Sequence, residues 1–229
     1  MQNYIFDLYN TLIDIHTDEH RQSTWTPVAE YFKAHGMKRV SEQSLCADYD
    51  KYWKLYLERA EADRQYVYPE CDAVSIFESM ARAAGGRLTR VQAAEALCIM
   101  RKASVVHKRL FDGTTELFEE LRARGAKLYL LSNAQAAFTY AEIEECGLKD
   151  AFDGMLLSSE CGVRKPDAAF FEMLFDKYGL DKASSVMVGD DTENDVRGAE
   201  RFGIAAVWAG GGASAHAKEL LDLAKGDEN

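Results

Sequence analysis

Four polar clusters in this chain carry residue types that can do chemistry together. Asp7 stands at the end of the apolar run 4–8, and Ser132-Asn133 close the string LYLLSN. Lys165-Pro166 lie inside GVRKPD, and Gly189-Asp190-Asp191-Thr192-Glu193-Asn194-Asp195 follow the apolar run 185–188. A carboxylate nucleophile, a hydroxyl, an ammonium and an acidic cluster suit transfer of an anionic group, such as a phosphoryl group, to Asp7. Crowded carboxylates raise one another's pKa unless a hard cation sits among them. Magnesium takes oxygen ligands and keeps several waters. Asp7, Asp190 and the backbone carbonyl of Tyr9 are the natural ligands, with Asp191 or Asp195 in support. Lys165 and the Ser132 hydroxyl would hold the remaining phosphoryl oxygens, with nearby backbone N–H groups.

Each of these residues also has a structural reading. Asp190-Asp191 suit the N-terminus of a helix beginning near Asn194, a role compatible with metal binding. Ser132 and Asn133 alone would serve equally as a cap before Ala134. Asp7 as a capping acid would need a helix from Leu8, which NTLID disfavours. Lys165 stands between an apolar run and a proline suited to the first turn of a helix, a better place for a site residue than for a surface lysine.

The elements that must position them are legible in outline. Short apolar runs at 4–8, 127–131, 154–157, 185–188 and 204–208 read as buried parallel strands. Helical patterns at 115–124, 137–146 and 167–178 run up to Gly125, Gly147 and Gly179, suited to helix C-termini. Alternating strands and helices predict an α/β doubly wound parallel sheet, with the polar clusters gathered at the carboxyl ends of the strands. The segment from 15 to 108 differs. It carries helical spacing at 25–34, 45–57, 74–84 and 91–100 and no convincing strand, which predicts an inserted helical bundle. The division is therefore 1–14 with 109–229 as the α/β core, and 15–108 as the insert. The chain beyond Gly210-Gly211-Gly212 reads as a loosely held polar helix and a charged tail.

Bulk properties narrow the partners. The 229 residues carry 27 Lys plus Arg against 38 Asp plus Glu, a formal charge of −11 that disfavours nucleic acid and anionic membranes. An anionic metabolite would need a local positive centre. No apolar run approaches the roughly 20 residues that span a bilayer, and no signal peptide is evident. Cys46, Cys71, Cys98, Cys146 and Cys161 are scattered without CxxC spacing, as in a reduced cytoplasmic protein. An exposed apolar face on the insert would allow a homodimer.

FDLYNTL, LLSN, Lys165-Pro166 and VGDDTEND, in that order and each after a strand, resemble the four motifs of the haloacid dehalogenase-like (HAD) hydrolase superfamily. Each string alone is weak; the ordered set is specific. The resemblance implies a Rossmann-like core, a type 1 helical cap that closes over the substrate, and a covalent intermediate on Asp7. Thr11 and Ser132 would orient the substrate, Lys165 would stabilise charge, and Asp190 with Asp195 would serve Mg2+. It implies hydrolysis of small phosphorylated metabolites.

Tyr9 departs from that pattern. Phosphatases of the superfamily carry an aspartate there, which protonates the leaving alcohol and then activates water, and usually a glycine where Asn10 stands. Tyrosine, with an ordinary pKa near 10, is a poor base at neutral pH. Losing general acid–base help costs roughly 10²–10⁴-fold in rate. Three readings follow: a phosphatase that is slow, restricted to good leaving groups or helped by a proton donor from the cap; a 2-haloacid dehalogenase, the branch that carries tyrosine here and needs no leaving-group proton; or a catalytically weak protein that binds a phosphometabolite or a partner. Dehalogenases of the superfamily show Ser and Asn where this chain has its acidic cluster, which ranks the phosphatase reading first.

The remaining conspicuous residues read more plainly. His16, Asp18 and His20 are a polar hinge rather than a metal site. Lys38 and Arg39 could supply a cap cation for a substrate carboxylate or phosphate, but a solvated loop after His35-Gly36 is the plainer reading. Tyr49, Tyr52, Trp53 and Tyr56 have the helical spacing of a buried face.

Overall fold

The structure, a computed structural model, describes residues 2–224. Five strands form a parallel sheet in the order β5–β4–β1–β6–β7: β1 Asn3–Phe6, β4 Lys127–Ser132, β5 Gly154–Leu157, β6 Ser185–Gly189 and β7 Ala205–Trp208. Strand β1 is central, so its carboxyl end lies between those of β4 and β6. Its side chains alternate as the pleat requires. Tyr4 and Phe6 enter one apolar layer with Leu117, Leu121, Ile143 and Leu220, while Ile5 enters the other with Phe170, Phe171 and Leu174. The helices α5 Thr114–Ala123, α6 Ala136–Glu145 and α10 Ala217–Leu223 supply the first layer; α8 Ala168–Tyr178 and α9 Gly198–Phe202 supply the second. A short helix, α7 Ser158–Cys161, follows β5. This is the expected α/β doubly wound architecture.

The helical segment forms too. Helices α1 Gln22–Ala34, α2 Glu42–Asp63, α3 Ala73–Ala83 and α4 Arg90–Ser104 pack around their own apolar core of Trp25, Phe32, Phe77, Met80 and Leu97. Local chemistry sets two of their starts. Ser41 with Ser44 and Thr89 with Gln92 exchange side-chain and backbone hydrogen bonds across the first turns of α2 and α4. Tyr49, Tyr52, Trp53 and Tyr56 pack against this core.

Three expectations need correction. Strands do occur at the edges of the insert: β2 Ile13–Thr17 and β3 Val105–Leu110 pair antiparallel. Each is short and mixes apolar with charged residues, so neither stands out until its partner, almost a hundred positions away, is beside it. The C-terminal helix is anchored rather than loose. Leu220 is buried, the Tyr4 hydroxyl donates to the Leu220 carbonyl at 2.6 Å, and Arg124 donates to the Leu221 carbonyl at 2.7 Å. The expected charged tail lies mostly outside the described residues. Finally, Pro166 precedes α8 rather than opening it: Asp167 is the N-cap, accepting from the Ala169 amide at 3.0 Å. Among the described residues no helix is long and apolar enough to cross a membrane.

Candidate active site

The loop after β1 is tightly wound. Leu12 and Ile13 amides donate to the Leu8 carbonyl at 2.8 and 2.9 Å, and the Asn10 amide donates to the Ile13 carbonyl at 2.7 Å. Closing that turn puts Asn10 at φ 60°, a left-handed conformation that asparagine tolerates better than most side chains. The turn leaves Asp7 at the carboxyl end of the central strand, where its own amide still pairs with the Val188 carbonyl of β6 at 2.9 Å.

Around Asp7 the clusters from the other strands converge. Lys165, buried at 1% exposure, places Nζ 2.6 Å from Asp7 Oδ1, 2.7 Å from Asp195 Oδ1 and 2.7 Å from the Leu131 carbonyl. Burial opposes the charge on Lys165, but Asp195 and then Asp7 more than offset it, so its pKa is raised and it stays an ammonium. Asn133 fixes the lysine from behind. Its side chain accepts from the Lys165 amide at 2.8 Å and donates to the Lys165 carbonyl at 3.0 Å. The Thr11 hydroxyl donates to Asp190 Oδ1 at 3.1 Å and accepts from the Asp190 amide at 3.0 Å. Ser132, also buried, ends β4. Asp7, Tyr9, Asn10, Ser132, Asn133, Lys165, Asp190, Asp191, Asn194 and Asp195 line one cavity of about 180 Å³.

The acidic cluster divides in two. Asp7, Asp190 and Asp195 each offer an oxygen within 4.8 Å of the others. The Asp191 carboxylate instead caps the helical turn Thr192–Arg197, accepting the Glu193 and Asn194 amides, both at 2.9 Å. The capping role foreseen for the Asp190-Asp191 pair therefore falls to Asp191, and the structure does not bring it into the carboxylate group. Gly189 is what lets Asp195 approach, because a Cβ there would strike its carboxylate. Burial raises the pKa of Asp190, and burial together with the charge of Asp7 raises that of Asp195 against the pull of Lys165. One ammonium shared between Asp7 and Asp195 leaves Asp190 to the Thr11 hydroxyl. An all-oxygen set with this excess of buried negative charge fits a hard divalent cation.

Tyr9 faces the other way. Its hydroxyl donates to Glu142 Oε2 at 2.5 Å and lies 3.1 Å from the Thr139 hydroxyl, both on α6. Glu142 in turn receives a two-pronged contact from Arg101 of α4, at 2.9 and 3.1 Å. The Arg101 guanidinium lies over the rings of Tyr9 and Phe138, 5.0 and 4.7 Å from their centres. Burial first, and the Glu142 charge second, push the tyrosine pKa far up, so Tyr9 is neutral at any physiological pH. A second cavity, of about 290 Å³, opens beside it between insert and core. Trp53, Leu57 and Phe138 give it an apolar wall, and Arg101, Arg164 and Glu70 bring charge.

The sequence reading missed Arg101, Glu142, Glu70 and Arg164. Only Glu142 left a trace, as an acid on the face of α6 that buries Thr139 and Ile143. Of the weaker candidates, His16 pairs its ring with that of His107 across the β2–β3 ribbon, and Asp18 accepts the His20 and Arg21 amides. Lys38 and Arg39 are exposed.

A family model described as haloacid dehalogenase-like hydrolase matches residues 1–203. The chain belongs to that family. Among curated relatives, the HAD hydrolase is 34% identical over 119 residues to phosphoserine phosphatase from Thermus thermophilus, covering 52% of this chain and 48% of that protein. It is 33% identical over 98 residues to (S)-2-haloacid dehalogenase from Pseudomonas sp. strain YL, covering 43% and 42%. The chain thus spans about half the length of the curated relatives it matches. The fold of the HAD hydrolase is similar to that of 2-haloacid dehalogenase from Pseudomonas syringae pv. Tomato DC3000, with a TM-score of 0.63, 19% identity and coverage of 91% of this chain and 86% of that one.

Proposed function

We propose that this HAD hydrolase is a magnesium-dependent phosphatase of small phosphorylated metabolites that works through an aspartyl-phosphate on Asp7. The observation that carries the reading is the convergence of the Asp7, Asp190 and Asp195 carboxylates to within 4.8 Å at the carboxyl end of the sheet. Displacing halide from a neutral carbon has no use for such a site. Attack by one anion on another does.

In this account Lys165 holds Asp7 Oδ1, leaving Oδ2 to attack phosphorus as the bond to the leaving oxygen breaks. Water then attacks the aspartyl-phosphate, releasing phosphate and restoring Asp7. Asp7, Asp190 and the Tyr9 carbonyl would hold Mg2+, with Asp195 in support, and the ion would offset charge on the phosphoryl oxygens. Ser132 binds the transferring group, the Lys165 ammonium offsets its charge from its place on Asp7 and Asp195, and Thr11 orients Asp190. The insert, entered and left through the β2–β3 ribbon, serves as a type 1 cap. The cavity walled by Trp53, Leu57 and Phe138 receives the organic part of the substrate. With its hydroxyl engaged by Glu142, Tyr9 does not protonate the leaving group, so good leaving groups are favoured.

Tyrosine at position 9 also favours a second reading, a metal-independent 2-haloacid dehalogenase using the same Asp7. Thermal melts separate the two. Beryllofluoride with Mg2+ should raise the melting temperature of the wild type but not of Asp7→Asn. No shift in wild type, together with chloride release from 2-chloropropionate in chelator, would establish the dehalogenase instead.

A further inference from the structure

A second cluster of metal-ligating side chains lies in the helical insert, on the loop that leads into α1 and on α2. His20 belongs to the loop between β2 and α1, while Cys46 and Asp50 lie four residues apart on α2, on one face of the helix. Their donor atoms converge within 4.8 Å. His20 Nδ1 is 3.9 Å from Cys46 Sγ and 3.8 Å from Asp50 Oδ2. The His20 loop is itself fixed, because Asp18 accepts the His20 amide at 3.1 Å and the Arg21 amide at 2.9 Å. A cavity of about 310 Å³ opens at the cluster, lined also by Gln22 and Glu42.

The donor set differs in kind from that around Asp7. One thiol, one imidazole and one carboxylate suit zinc or another late first-row divalent ion, whereas magnesium and calcium take oxygen. Tetrahedral zinc, with bonds of about 2.0–2.3 Å to such ligands, sets neighbouring donors roughly 3.3–3.7 Å apart. The two spacings from His20 are a few tenths of an ångström wider, within reach of side-chain rotation at this partly exposed place. Surface histidines and acids often lie near one another without a purpose. What is unusual here is a half-buried thiol at the focus of two further donors from a separate segment.

We propose that His20, Cys46 and Asp50 form a zinc-type site that fastens α2 to the loop leading into α1, with the fourth position open to water or Glu42. On binding, the Cys46 thiol yields its proton to solvent and becomes a thiolate ligand. The site then braces the helical insert at the end where the chain enters it from the ribbon.

Cobalt is the probe, because a thiolate ligand gives Co2+ an intense near-ultraviolet charge-transfer band that oxygen ligands do not. The full chain, stripped with chelator, is titrated with Co2+ beside Cys46→Ser, His20→Ala and, as a control for the acidic site, Asp190→Asn. The expected result is a saturable thiolate band that Zn2+ abolishes by displacement. It disappears in Cys46→Ser, needs at least about tenfold more cobalt in His20→Ala, and persists in Asp190→Asn. A band that survives in Cys46→Ser, or is untouched in His20→Ala, would overturn the site, as would the absence of any band in the wild type. Circular dichroism confirms that the variants are folded, which the exposure of His20 and the partial exposure of Cys46 favour.

Discussion

Tyr9 matters most among the single residues, since the proposed phosphatase chemistry would call for an acid at its position. The structure shows a tyrosine whose hydroxyl is held on Glu142 and whose ring lies beneath Arg101. Tyr9→Asp should therefore restore a proton donor. We predict a gain of roughly 10²-fold in kcat on an alkyl phosphate, with little change on p-nitrophenyl phosphate. A folded, magnesium-binding variant with no such gain would show that the acid is not the deficit. Asp191 makes a separate prediction. Although burial alone would raise its pKa, hydrogen bonds from the Asn194 and Glu193 amides and the Asn194 side chain hold it below its ordinary 3.8. A depressed folded pKa means stability that is present above the unfolded value and lost as pH falls through the folded one. Asp191→Ala should cost about 1 kcal/mol at neutral pH by chemical denaturation. That deficit should begin to shrink below about pH 4 and vanish as pH falls through the lowered pKa of the folded cap. A deficit independent of pH would mean that the carboxylate charge is not what caps the turn.

At the scale of elements, the strands of the sheet and the helices between them were legible because burial on both faces imposes short apolar runs. So were Asp7, Lys165 and the acidic cluster, because topology alone gathers strand ends. The Tyr9–Glu142–Arg101 contact was not legible. It joins residues 133 and 41 positions apart, and an arginine near the end of a helix looks solvated until another element covers it. Buried at 11% and 6% side-chain exposure, that pair ties α4 to α6 and so insert to core. Arg101→Ala strands a buried carboxylate with Tyr9 and, at 3.8 Å, Lys108. We predict a loss of roughly 3–5 kcal/mol in urea unfolding. Removing Glu142 as well should cost much less than the sum, because no buried charge is then left alone. A loss under about 1 kcal/mol for Arg101→Ala would mean that water reaches Glu142 freely.

Across the whole molecule, a chain carrying a formal charge of −11 concentrates part of that charge at the carboxyl ends of its central strands and balances only some of it there with Lys165. That arrangement is costly to fold, and under the proposed function a cation and an anionic substrate would complete it. The helical insert adds a cavity with an apolar wall and two arginines beside Tyr9. The direct test is phosphate release from p-nitrophenyl phosphate and acetyl phosphate, with magnesium or with chelator, in wild type and in Asp7→Asn. Both leaving groups depart without a proton, so Tyr9 cannot mask a competent Asp7. We predict release that requires magnesium and disappears in Asp7→Asn. Silence on both substrates from folded wild-type protein, or release that survives in Asp7→Asn, would contradict the account.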